Sequence, residues 1–179
     1  MKKPAIFLDR DGTLIEEVNF LHRVEDLRIF EQTPKALGDL RDAGFLIVVL
    51  TNQSGIGRGR YSVEDMHAVH RAMQDALSGM IDGFYFCPHL PDAGCRCRKP
   101  GLGMIEAACE DLAIDLELSW MIGDKRSDIE TGFAANIRTA LVLTGYGAED
   151  RKRLDAEPTV TADGLGDAAE AVLRLIGRS

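Results

Sequence analysis

Short, continuous apolar runs alternate along the chain with stretches whose apolar positions recur three and four residues apart. Each apolar run stops at a polar cluster. Ala5–Leu8 halts at Asp-Arg-Asp-Gly, Phe45–Leu50 at Thr-Asn-Gln-Ser-Gly, Gly83–Cys87 at Pro88-His89, Ser119–Ile122 at Gly-Asp-Lys, and Thr139–Leu143 at Thr-Gly. Uninterrupted runs of this kind predict strands buried on both faces. Helices are predicted over Pro34–Ala43, Ser62–Leu77, Leu102–Leu112 and Asp128–Ala135, with Ser62 and Asp65 spaced as a capping box. The alternation predicts an α/β fold: a three-layer, Rossmann-like parallel sheet with helices on both faces. In such folds, ligands sit outside the carboxyl ends of the strands, which is where the polar clusters would converge.

Three segments complete the expected architecture. Thr13–Phe30 is too charged and too rich in strand formers for a crossover helix, so it is expected as a small hairpin over the site. A short strand near Thr159-Val160 and an amphipathic helix from about Asp167 to Ile176 should cover an edge. Neither the hairpin region nor the interval Thr51–Lys99 has room for a large cap domain, and 179 residues suit a single domain spanning 1–179.

Composition adds little to the fold but narrows the partners. With 45% hydrophobic and 28% charged residues, the chain reads as ordinary and globular. A formal net charge of -8 repels nucleic-acid backbones and anionic membranes, so a small diffusible anion is the easier partner. The N-terminal apolar run meets Asp9 too soon to form a signal-peptide core, and no later stretch could span a bilayer. A cytoplasmic monomer is expected, since no heptad or exposed apolar stripe stands out.

Asp9 and Asp11 lie two residues apart just after the first strand. One carboxylate can attack phosphorus, forming an aspartyl-phosphate, while the other protonates the departing alkoxide. Acids beside an incoming phosphate need a hard cation, and Mg²⁺ prefers carboxylate, carbonyl and water oxygens. Asp124 can complete that set, while Thr51, Asn52 and Lys99 can donate to the phosphate oxygens. Taken singly, each segment also reads as a turn, a helix cap or a solvated charge. Their conjunction at strand ends that share one edge favours the catalytic reading.

Cys87-Pro-His89 and Cys95-Arg-Cys97 place three thiols and an imidazole close together in sequence. Four such ligands make a closed, structural Zn²⁺ site, which can hold a loop too short for its own core. A disulfide and unrelated core thiols are the alternatives. Cys109 reads as a core thiol, His67 and His70 as exposed side chains on one helix face, and His22 as uninformative.

The set Asp9-Arg-Asp-Gly-Thr, Thr51-Asn, Arg98-Lys-Pro and Gly123-Asp-x-x-x-Asp128 resembles, in order, the four motifs of the haloacid dehalogenase superfamily. That resemblance implies Asp9 as nucleophile, Asp11 as general acid and then base, and Thr51 and Lys99 on the phosphoryl group. It further implies Mg²⁺ on Asp9, the Asp11 backbone carbonyl and Asp124, with Asp128 supporting the metal shell and Lys125 among the phosphate-binding residues.

Within the superfamily, Thr51–Gly59 and Cys-Pro-His with Cys-x-Cys-Arg-Lys-Pro resemble the D-glycero-D-manno-heptose 1,7-bisphosphate 7-phosphatase family. This implies a phosphorylated sugar as substrate, with Arg98 and the loop Asn52, Gln53 and Ser54 recognising the rest of it. Ile15 and Leu102 stand where that family commonly carries Asn and Pro. Histidinol-phosphate phosphatase, polynucleotide 3′-phosphatase and a non-catalytic zinc-binding module are the alternatives. The intact pair Asp9 and Asp11 speaks against the last of them.

Overall fold

The computed structural model describes residues 2–177. Strands β1 (Lys3–Leu8), β2 (Leu46–Asn52), β3 (Gly83–Cys87), β4 (Ile114–Gly123), β5 (Arg138–Val142) and β6 (Val160–Ala162) form one parallel sheet, in the order β3-β2-β1-β4-β5-β6. Alternate side chains serve opposite faces, as the pleat requires. Ile6, Leu8, Ile47, Val49, Trp120 and Ile122 enter one buried cluster, whereas Phe7, Val48, Leu50 and Met121 enter the other.

Helices α1 (Thr33–Asp42), α3 (Val63–Ala76) and α7 (Leu165–Ile176) cover the first face through Leu37, Leu40, Val69, Met73, Ala168 and Val172. On the second face lie α4 (Gly103–Asp111), through Met104, Ile105 and Ala108, and α5 (Arg126–Ala134), whose Gly132 lies close to Met121 and Thr139. Two short helical turns, α2 (Ser54–Gly57) and α6 (Gly147–Asp150), complete the set. The expected three-layer α/β architecture is therefore realised, and so is the capping box. Ser62 Oγ accepts from Asp65 N at 3.1 Å, and Asp65 Oδ2 accepts from Ser62 N at 2.8 Å.

Two elements differ from the pattern. β4 begins at Ile114 rather than Ser119, because Lys3 and Pro4 pair with Ile114 and Asp115 before the register shifts. Ser119 bridges the irregularity: its Oγ accepts from Ala5 N at 2.9 Å and donates to Asp115 O at 2.6 Å. Asp115, Glu117 and Ser119 alternate there with Ile114, Leu116 and Leu118, so the strand's first half is an alternating segment rather than a continuous apolar run. The expected hairpin forms no regular strands. Its limbs meet at an isolated antiparallel bridge, Ile15 to Ile29, with Glu16 N donating to Arg28 O and Phe30 N to Leu14 O.

Strand order reverses between β1 and β4, opening a crevice at their carboxyl ends. Asp9 and Asp124 emerge there, one residue past each strand. Among the described residues no helix is long and apolar enough to cross a membrane.

Candidate active site

Asp9 is almost wholly buried, and Lys99 Nζ donates to its Oδ1 at 2.7 Å. The same ammonium donates to Leu50 O at 2.7 Å and stands 2.6 Å from Asp128 Oδ1. Asn52 clamps the lysine's backbone, accepting from Lys99 N at 3.1 Å and donating to Lys99 O at 3.3 Å. The end of β2 thus fixes a cation that arrives from far along the chain. Burial alone would raise the Asp9 pKa, but Lys99 and Lys125 outweigh it and hold the carboxyl at about 2. A carboxylate kept ionised at neutral pH results.

Asp9 Oδ2 and Asp124 Oδ1 are buried without a hydrogen-bond partner. Lys125 Nζ lies 3.5 Å from the first and 3.7 Å from the second, and donates to Asp11 O at 3.3 Å. Three hard oxygens therefore face one cation. Asp9, Asp124 and Asp128 also offer carboxylate oxygens within 4.8 Å of one another. These donors fit Mg²⁺, which takes oxygen ligands.

Burial, reinforced by Asp9, pushes Asp124 up to about 8, while Tyr146 N donates to its other oxygen at 2.8 Å. Burial likewise raises Asp128 despite Lys99. Within this cluster Asp9 is lowered, whereas Asp124 and Asp128 are both raised. Lys125, raised by Asp9 and Asp124 against its own burial, also reaches Glu17 Oε2 at 3.2 Å. Glycines make the close packing possible. A Cβ on Gly12 (φ +87) or Gly145 (φ +55) would come within 2.3 or 2.2 Å of Asp124 Oδ2.

Asp11 faces a different set of partners. Its Oδ2 accepts from Arg10 Nε at 2.9 Å and Gln53 Nε2 at 3.1 Å, and its Oδ1 from Arg10 Nη2 at 3.0 Å. Gln53 also donates to Thr51 Oγ1 at 2.7 Å and accepts from Tyr61 OH at 2.5 Å. A cavity of about 250 Å³ opens over these groups. All of the predicted residues Asp9, Asp11, Thr51, Asn52, Gln53, Ser54, Arg98, Lys99 and Lys125 line it. Asp124 and Asp128 lie beneath, among the buried acids.

Several contributors escaped sequence reasoning. Glu17 and Tyr146 line the cavity, and Arg10 is buried against Asp11. The sequence signal for Arg10 was only its position between two aspartates, and for Glu17 there was none. One expectation is corrected: His67 is exposed, but His70 is buried, because its ring stacks on Phe84 at 4.4 Å and faces Arg10.

Cys87, His89, Cys95 and Cys97 face one another at the end of β3. Cys87 Sγ lies 3.5 Å from Cys95 Sγ and 3.6 Å from His89 Nδ1, and Cys97 Sγ lies 3.6 Å from Cys95 Sγ and 3.2 Å from His89 Nδ1. Bonded sulfurs would be about 2 Å apart. The observed spacings are close to the edges of a tetrahedron with metal–ligand bonds of about 2.0–2.3 Å, so the set could hold Zn²⁺. Arg98 Nη1, 3.4 Å from His89 O, ties this loop to the cavity rim.

A parallel α/β sheet with a carboxylate after β1, a buried lysine and an acid pair after β4 defines a phosphohydrolase of the haloacid dehalogenase type. Residues 96–168 match the HAD-hydrolase-like family model. The chain is 40% identical over 168 residues to a D-glycero-beta-D-manno-heptose-1,7-bisphosphate 7-phosphatase of Haemophilus ducreyi, covering 87% of this chain and 92% of the relative. It is 38% identical over 187 residues to the corresponding enzyme of Thermosynechococcus vestitus, covering 95% of each. The solved D,D-heptose 1,7-bisphosphate phosphatase of B. bronchiseptica, complexed with magnesium and phosphate, superposes with a TM-score of 0.88 at 31% identity, over 96% of this chain and 99% of that one. The chain belongs to the D-glycero-D-manno-heptose 1,7-bisphosphate 7-phosphatase family.

Proposed function

We propose that the chain hydrolyses the 7-phosphate of D-glycero-D-manno-heptose 1,7-bisphosphate through an aspartyl-phosphate on Asp9, in the cytoplasm, as a single-domain monomer. One observation carries the chemistry: Asp9 Oδ2, the Asp11 carbonyl and Asp124 Oδ1 gather around one ammonium. The substrate is supported by the relatives, which act on that sugar bisphosphate.

Asp9 attacks phosphorus and the bond to the sugar oxygen breaks, while Asp11 gives that oxygen a proton. Asp11, now a carboxylate, then takes a proton from water, which attacks phosphorus, frees inorganic phosphate and restores Asp9. Lys99 orients Asp9 and, with Thr51 and Asn52, supplies positive charge and donors toward the phosphoryl oxygens. Arg98, Gln53 and Ser54 recognise the rest of the sugar bisphosphate, a guanidinium fork suiting its second phosphate. Mg²⁺, held by Asp9, the Asp11 carbonyl and Asp124 with Asp128 in support, neutralises charge on the phosphate when bound. Lys125 shares that rim and completes the phosphate-binding set. Zn²⁺ on Cys87, His89, Cys95 and Cys97 holds the loop that delivers Arg98 and Lys99.

Phosphate release from heptose 1,7-bisphosphate, histidinol phosphate and a 3′-phosphorylated oligonucleotide, measured side by side, tests the substrate. Preference for the heptose is expected. A preference for either other compound overturns the assignment.

A further inference from the structure

Arg10 lies in the interior with 1% of its surface exposed, and three of its N–H groups have partners. Nε and Nη2 grip Asp11, and Nη1 lies 3.3 Å from His70 Nε2 on α3. For Nε2 to accept, the neutral ring must carry its proton on Nδ1. That Nδ1 is buried with no hydrogen-bond partner. Burial first, then the charge of Arg10, depresses the ring's pKa to about 3, so it stays a neutral acceptor. An apolar side chain of similar size could pack on Phe84 without stranding a donor. What the imidazole adds is the acceptor for Arg10.

The consequence appears at Asp11. Oδ2 accepts two hydrogen bonds, from Arg10 and Gln53, whereas Oδ1 accepts only one. Oδ1 is therefore the oxygen with capacity left for a proton. We propose that His70 is a positioning residue for the general acid: by accepting Arg10 Nη1, it locks the guanidinium fork that sets the rotamer of Asp11 and leaves Oδ1 to hand its proton to the departing sugar oxygen. The inference rests on Asp11 being the acid in the proposed reaction. As the phosphorus–oxygen bond breaks, the Oδ1 proton moves to the sugar oxygen and Asp11 is left as a carboxylate. Without His70, Nη1 becomes a buried donor without an acceptor, and the guanidinium turns to find one, taking Asp11 with it.

The experiment compares leaving groups in the full-length, metal-loaded protein. A sugar alkoxide needs the proton, whereas the phenolate of p-nitrophenyl phosphate leaves well without it. The value of kcat/KM reports the steps up to the aspartyl-phosphate, so the ratio of kcat/KM for heptose bisphosphate to that for p-nitrophenyl phosphate isolates the acid's work. His70→Leu should lower this ratio by about tenfold or more, a part of the roughly 10²–10⁴-fold that a general acid supplies. His70→Gln, whose side-chain oxygen can still accept from Arg10, should restore the ratio to within about threefold of the parent. If His70→Leu does not fold, His70→Asn, which is too short to reach Arg10, should lower the ratio instead. Equal losses on both substrates, or an unchanged ratio, would overturn the inference. Asp11→Asn is measured alongside. If it leaves the ratio unchanged, the acid assignment itself fails; if it lowers the ratio while His70→Leu and His70→Asn do not, only the role of His70 fails.

Discussion

Lys99 Nζ lies 2.7 Å from Asp9 Oδ1, and both side chains are sealed from solvent. A lysine beyond β3 and an aspartate beyond β1 thus share one charge-assisted hydrogen bond, with Asp128 closing the triangle at 2.6 Å. Replacing Lys99 by Met strips Asp9 and Asp128 of the ammonium they share and leaves Asp9 only the longer 3.5 Å contact with Lys125, a loss of about 3–5 kcal/mol. Chemical denaturation should show that loss, and kcat should fall with it.

Gly145 gives a second expectation, because a side chain there would collide with Asp124. Gly145→Ala places a Cβ 2.2 Å from Asp124 Oδ2 at a φ of +55, so Asp124 must move. Weaker Mg²⁺ binding by calorimetry and a stability loss of about 1–3 kcal/mol are expected.

The thiol and imidazole cluster should hold one zinc per chain, measurable by elemental analysis. Cys95→Ser should abolish that content, lower Tm and reduce activity, because the loop leads directly into Arg98 and Lys99. Full zinc retention in this variant would remove Cys95 from the ligand set.

Acid stability should carry the signature of His70. In the unfolded chain the imidazole takes up a proton below its ordinary value of 6.5, whereas in the folded protein it does so only near 3. Its contribution is therefore complete above about pH 6.5 and is lost as the pH falls toward 3. Between about pH 6.5 and 5 the parent should lose about 2 kcal/mol through this group. His70→Gln should lack that part of the slope in denaturation measured across the same range.

The strand ends were legible because each apolar run is cut off by the residues that work there. Asp9, Thr51, Cys87 and Asp124 all fall at or just beyond such ends. The first half of β4 was not legible as a continuous apolar run, since Asp115, Glu117 and Ser119 alternate there with Ile114, Leu116 and Leu118. Neither was the burial of Arg10 and His70, which are 60 residues apart in sequence. A charged residue in a loop and a histidine on a helix both read as solvated until the fold supplies their partners. Lys125 was legible as a cation near phosphate, but its grip on Glu17 depends on how the segment after Thr13 folds back.

The proposed role of Asp9 as nucleophile is tested most directly by Asp9→Asn. Phosphate release from heptose 1,7-bisphosphate should fall by about three orders of magnitude or more, while Tm and zinc content remain close to those of the parent. An Asp9→Asn protein that folds, keeps its zinc and still turns over at a rate near the parent's would contradict the mechanism.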